Sequence, residues 1–228
     1  DMYMPFVQDA FAQIGVPEDL RFICIQESGL RGDAVSSANA VGFWQFKDFT
    51  GREVGLEITD LMDERKHIFR ASVGAARYFV TNYRRYQNWV YSVISYYAGG
   101  TGAQPYIQSK YIGATAMEID ENLHWYAQKA IAHKLAFEQE IGRNKAPKVW
   151  LHPFAAKGES SVAALAERHN QKPQEFLAHN LWISKMALPD DRPLSYYVLQ
   201  VNTPYAHHRD PYLHLYPSET NYAHRHKS

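Results

Sequence analysis

Downstream of Pro17, the residues Leu20, Ile23 and Cys24 fall on one face of a helix, and the next position on that stripe is Glu27. Ser28-Gly29 supplies the stop, since Gly takes the left-handed conformation that ends helices at little cost. An acid in that place is partly withdrawn from water and close to the negative end of the helix dipole. Both effects disfavour the carboxylate and raise its pKa. A carboxyl group that keeps its proton near neutrality is what general acid catalysis requires. Periodicity alone also leaves open a Glu at a frayed helix end, pointing into water.

Other reactive side chains carry weaker signals. Cys24 lies in the apolar run Phe22-Ile-Cys-Ile25, the setting of a buried structural thiol rather than a nucleophile. Asp33, Asp48 and Glu53 follow Glu27 in a loop and could supply the second carboxylate of a water-using glycosidase, although loop acids are usually just solvated. Asp63 and Arg65 suit a structural ion pair. For Phe43 and Trp44 a place in the core and a stacking surface for sugar are both open. His207, His208, His214, His224 and His226 cluster near the end without Cys or regular ligand spacing, so neither a metal site nor a cofactor is expected.

The elements that position these groups are mostly helical. Apolar spacing predicts helices over 6–14 and from Pro17 to Ser28, where Glu18 and Asp19 complement the N-terminal dipole. Residues 31–58, rich in Gly, Ser, Ala and Asn, predict a loop with short turns. Helices are expected over 70–86, with Val73, Ala76, Val80 and Tyr83 on one stripe, and over 89–98, ending at Gly99-Gly100. A longer one is expected over 121–141, with Leu123, Ala127, Ile131 and Leu135 in i, i+4 register. The pattern stops at residues 142–147. Beyond it come a strand-like Val149-Trp-Leu151, two short helices and a second strand over 195–201, in the order β-α-α-β, then an aperiodic Tyr/His-rich stretch from Thr203. The fold class is therefore mainly α with a small βααβ unit, divided as residues 1–146, 147–202 and 203–228.

Composition bounds the function classes. In 228 residues, 24 Lys+Arg balance 24 Asp+Glu, which lacks the basic footprint of general nucleic-acid binding. With 46% hydrophobic residues the chain can bury a sizeable core. No run of 18 apolar residues exists to span a membrane, and a single Cys excludes an intramolecular disulfide. The opening Asp1-Met-Tyr-Met-Pro-Phe6 has neither a basic n-region nor an apolar h-region, as in a secreted protein whose leader has been removed, or in a cytosolic one.

Several motifs in order sharpen the reading. Glu27-Ser28, Ala34-x-Ser36, Ala40-x-Gly42-Phe-Trp-Gln45-Phe46, Thr50-Gly51 and Gly55-Leu56 are followed by Asp63-Glu-Arg65, Ala75-Ala76-x-Tyr78-Phe79 and Tyr96-x-Ala98-Gly99. Over about residues 5–140 the chain resembles the soluble lytic transglycosylase domain with its goose-lysozyme-like fold, and within it the membrane-bound lytic transglycosylase D subfamily. The resemblance implies a peptidoglycan-cleaving enzyme in which Glu27 is the sole acid/base. It would act on the β-1,4 bond between N-acetylmuramic acid and N-acetylglucosamine and leave a 1,6-anhydro product. It implies substrate contacts at Ser28, Gln45, Tyr96 and Tyr126, to which Tyr97 and Trp44 are added by position.

Departures are visible. Tyr97 stands where the family has Asn, Asn39 where it has Gly, Asn122-Leu123 where it has Glu-Thr, and Lys47-Asp48 where it has Met-Pro. Lys157-Gly-Glu-Ser160, Val162-x-x-Leu165-Ala166, Phe176-Leu-x-x-Asn180-Leu-Trp-Ile183 and Leu188-Pro-x-x-x-Pro193-Leu194 resemble a lysin-motif (LysM) domain, which implies binding of N-acetylglucosamine-containing glycans. The expected partners are peptidoglycan glycan strands, with no nucleic acid. A monomer in the periplasm or cell envelope is expected, and a lipid anchor or outer-membrane association is compatible with it. A non-catalytic peptidoglycan-binding scaffold and a water-using muramidase on the same fold are the competing accounts.

Overall fold

The computed structural model describes residues 2–144, 149–156, 161–189 and 194–201. Its helical part is built on α4 (Ile68–Tyr86), against which α1 (Met4–Ile14) and α5 (Trp89–Ala103) pack. Ala71, Ser72, Ala75, Ala76 and Phe79 of α4 are fully buried. Gly74 keeps the approach close, because a Cβ there would meet Val54 Cγ2 at 2.8 Å. A 3-10 turn, Glu18–Arg21, runs into α2 (Phe22–Ser28), and α2 packs on α6 (Trp125–Phe137). The predicted helix from Pro17 is thus a tightened first turn followed by seven α-helical residues.

The helix ends follow from capping. α4 begins at Ile68, ahead of the expected start, because the His67 side chain accepts from Arg70 N–H. Asn88 caps α5 through Val90 N–H and Tyr91 N–H. Gly99, at φ 70° and ψ 170°, breaks α5 where expected, but a further helical turn follows at once to Ala103. α6 is shorter than the sequence predicted. It starts beside His124, whose ring accepts from Tyr126 N–H, and Leu135 on the expected apolar stripe is 64% exposed.

The predicted loop holds one helix, α3 (Asp48–Glu53), and the bridges Val35 to Val41 and Val41 to Phe46. Asn39 sits in the left-handed region at φ 59°, where Asn is tolerated in place of Gly. Gly42 has no such substitute: at φ 84°, an added Cβ would lie 1.9 Å from the carbonyl oxygen of Arg65.

The βααβ part pairs β1 (Val149–Ala156) with β2 (Leu194–Val201) antiparallel, in register from Val149 with Val201 to Ala156 with Leu194. Between them run α7 (Val162–Arg168) and α8 (Pro173–His179). Alternation along β2 gives the sheet two buried faces. Tyr196 and Val198 pack with Leu165, Phe176 and Trp182, whereas Tyr197 joins the helical core together with Leu151. Phe6 meets Tyr197 edge to face at 4.9 Å, and Asp63 N–H donates to the carbonyl of Trp182 at 2.8 Å. Met62 completes the βααβ core from the other side. Residues 145–147 of the expected boundary segment 142–147, the motif residues 157–160 and Pro193, and the stretch from residue 202 lie outside the described residues.

Candidate active site

Glu27 lies in the last turn of α2, which ends on Gly29 in the left-handed conformation at φ 61°. Across from it, Tyr126 stands in the first turn of α6, and its hydroxyl donates to Glu27 Oε1. Gln26 donates to the Tyr126 carbonyl at 3.4 Å, so adjacent residues of α2 hold both ends of Tyr126. Burial raises the pKa of Glu27 above the ordinary glutamate value, while the Tyr126 hydroxyl and the charge of Lys129 act against that rise. The acid is therefore partly withdrawn from water, with one hydrogen-bond donor on it among the described residues.

Tyr96 is the second phenol tied to Glu27. It stands in the last turn before the Gly99 break in α5, stacks on Phe79 with centroids 4.7 Å apart, and donates to the carbonyl of Trp44 at 2.8 Å. Burial and the Glu27 charge push its hydroxyl, and that of Tyr126, well above the usual tyrosine range. Cys24, fully buried beneath the acid on the same helix, is held as the thiol by the same two causes.

Ser28 and Gln45 hold the loop rather than project free donors. Ser28 Oγ donates to the Phe43 carbonyl at 2.8 Å and accepts from Arg31 N–H. The Gln45 amide donates to the carbonyls of Ala34 and Gly42 at 3.1 and 2.9 Å, which leaves its Oε1 as the acceptor. Gln45 itself sits at φ 50°, a strained conformation outside glycine. Between them these bonds fold residues 34–46 onto the end of α2.

Trp44 requires a correction. Its ring is fully buried, stacked on Phe11 at 5.5 Å, and its indole N–H is spent on Ser72 at 2.9 Å. No face is left for a ligand, so of the two roles open in the sequence this structure has the core one. Phe43, 2% exposed, goes the same way. Asp63 and Arg65 form the expected ion pair, with two hydrogen bonds of 2.9 and 2.8 Å, and Arg65 also reaches the Phe46 carbonyl. Asp33 and Asp48 are exposed and paired with Arg31 and Arg52.

Tyr97 takes another position altogether. It is 54% exposed, and one face stacks on Tyr126 at 4.9 Å and 20°. Trp125 and His124, which the sequence does not single out, flank the same pair. Trp125 is 52% exposed, and His124 is buried against Tyr106. The available signal was their adjacency to Tyr126. Among the described residues, no group of three or more His, Cys, Asp or Glu side chains is placed to hold a metal ion.

Residues 7–118 match the family model described as the transglycosylase SLT domain. Over 98 residues the chain is 29% identical to "Membrane-bound lytic murein transglycosylase D" of Escherichia coli (strain K12), a match covering 42% of this chain and 22% of that protein. The protein of the same name from Escherichia coli O6:H1 matches equally, at 29% over 98 residues. The chain thus spans about a fifth of the length of the curated relatives it matches. These matches support a lytic transglycosylase domain that includes Glu27, Gln45 and Tyr96, whereas Tyr126 lies beyond the matched segment.

Proposed function

We propose that this chain is a peptidoglycan lytic transglycosylase in which Glu27 is the single acid/base. The observation that carries this is a partly buried glutamic acid of raised pKa, held by the Tyr126 hydroxyl, inside a segment that matches the transglycosylase SLT domain. In the proposed reaction the Glu27 carboxyl protonates the bridging oxygen between N-acetylmuramic acid and N-acetylglucosamine as the C1–O bond breaks. The new carboxylate then takes the proton of the muramic C6 hydroxyl, whose oxygen bonds to C1 and closes the 1,6-anhydro ring. Glu27 ends protonated, and no water is consumed. The Tyr126 hydroxyl, a donor to Oε1, stabilises the anion between the two transfers.

An inverting or retaining hydrolase would add a second carboxylate across the cleft. The engagement of Asp33 and Asp48 with arginines at exposed positions favours the single-acid route. Digestion of sacculi followed by mass analysis tests it: anhydro-muramic ends, one water lighter than reducing ends, are expected. Reducing ends alone would replace it with the muramidase.

The proposal divides the chain into a catalytic part, residues 1–146, a LysM-like glycan-binding module, 147–202, and a tail, 203–228. The βααβ order and the motif residues support the module. The burial of Trp182 to 2% against His67 favours a second role for it, packing on the helical part. Alanine substitution of residues 157–160 in a Glu27→Gln chain should lower co-sedimentation with sacculi. Unchanged binding would leave the packing role alone. The proposed substrate, and the likeness to membrane-bound lytic murein transglycosylases, support the cell envelope as the site of action. No described helix is long and apolar enough to cross a membrane.

A further inference from the structure

The aromatic residues outside the acid form a built surface. Tyr97 and Tyr126 are near parallel, with centroids 4.9 Å apart. Trp125 is perpendicular to both, 4.8 Å from Tyr97 at 76° and 5.7 Å from Tyr126 at 82°. A ring lying over the outer face of Tyr97 would stand roughly two stacking distances from Tyr126, about 9–10 Å. Trp125 is far closer than that, so it stands beside the stacked pair as a wall and leaves the outer face of Tyr97 open. The exposures of 54% for Tyr97 and 52% for Trp125 agree with an open corner. That corner is one ring layer from Tyr126, whose hydroxyl rests on Glu27.

We propose that Tyr97 and Trp125 form a stacking subsite, floor and wall, for a saccharide ring of the glycan strand next to the bond on which Glu27 acts. The proposal rests on the reading of Glu27 as the acid of a glycan-cleaving site. A pyranose presents a flat face of C–H bonds, which an aromatic face covers with little loss of side-chain freedom. Water otherwise wets about half of each of these two large rings, and a sugar ring removes that exposure. The floor, Tyr97, lies within the matched residues 7–118, and the wall, Trp125, lies beyond them, so the corner joins the matched segment to the helix that follows it.

The test is a calorimetric titration of the full Glu27→Gln chain with tetra-N-acetylchitotetraose, which needs no turnover. Added Tyr97→Ala, and separately Trp125→Ala, should each weaken one binding event about tenfold, whereas Tyr97→Phe, which keeps the ring, should stay within about twofold. Binding elsewhere on the chain would be common to all variants and cancels in the comparison. Isotherms unchanged by Tyr97→Ala and Trp125→Ala, or no binding at all, would overturn the subsite. Loss in Tyr97→Phe equal to that in Tyr97→Ala would overturn stacking as its basis. The cleavage reading fails separately, through wild-type chain that releases no anhydro products from sacculi.

Discussion

Glu27 and Asn180 are both polar side chains withdrawn from water at the C-terminal end of a short helix, α2 and α8, and their surroundings differ. Asn180 is fully buried and spends its whole amide on the fold. Its Nδ2 donates to the carbonyls of Phe176 and Tyr197 at 2.9 and 2.8 Å, and its Oδ1 accepts from Tyr197 N–H at 2.8 Å. Glu27 is held by one hydroxyl, and its ionised form is disfavoured where it sits. In the βααβ part a buried polar group closes a strand onto a helix. In the helical part the same kind of placement leaves proton-transfer capacity in reserve. Satisfied burial stabilises, and incompletely satisfied burial is what an acid needs.

The contrast can be broken from the Asn180 side first. Asn180→Ala strands three backbone groups and opens a cavity, which should cost about 3 kcal/mol and lower Tm by about 6–12 °C. Activity per folded molecule should stay within about twofold. A folded but inactive variant would show that the two parts are not independent in function.

Tyr126→Phe is the matching change at the acid. It should lower turnover by about tenfold and leave the melting temperature within a few degrees. Loss of the donor raises the Glu27 pKa further. The pH above which activity falls, as the acid ionises in the free protein, should therefore move up. An unshifted profile would remove Tyr126 from the account of the acid.

His67 links the two parts, and its sign is opposite to that of Glu27. Burial, then the charge of Arg70, hold it well below the ordinary histidine value, between Trp182 and Tyr197. The unfolded chain therefore binds the proton first as pH falls. Stability is complete above the unfolded histidine value, about 6.5, and declines below it by at most about 1.4 kcal/mol per pH unit. His67→Asn, which keeps a capping acceptor, should flatten that slope between about pH 6.5 and 5 in thermal melts.

The smallest effect belongs to Glu27 in stability. Its folded pKa is raised, so its contribution is full below the unfolded value of about 4.3 and is lost as pH rises through the folded one. Glu27→Gln should raise Tm at neutral pH by roughly 2–4 °C, with the gain gone near pH 4. A variant less stable than wild type at pH 7 would contradict the burial of a disfavoured charge.

Much of this arrangement was legible in the sequence because it is local. The stripe Leu20, Ile23, Cys24, Glu27 and the stop at Gly29 are periodic and adjacent, and the break at Gly99 follows from one residue type. Trp44 was not legible, since it lies in a loop without a period, and only the long-range bond to Ser72 fixes which way its ring turns. Trp125 escaped notice because an N-terminal helix position carries no burial pattern. The continuous apolar run Tyr196-Tyr-Val198 read correctly as a strand, but its second face is covered by α1 and His67, distant in sequence.

The central claim is that Glu27 transfers the proton that cleaves the glycan. Its most direct measurement compares wild-type and Glu27→Gln chains on purified sacculi, following soluble anhydro-muropeptides by mass. Wild type should release them, and Glu27→Gln should fall at least about a thousandfold while folding and binding the glycan. Equal release by the two chains would contradict the assignment of the acid, and release by neither would make the protein a peptidoglycan-binding scaffold.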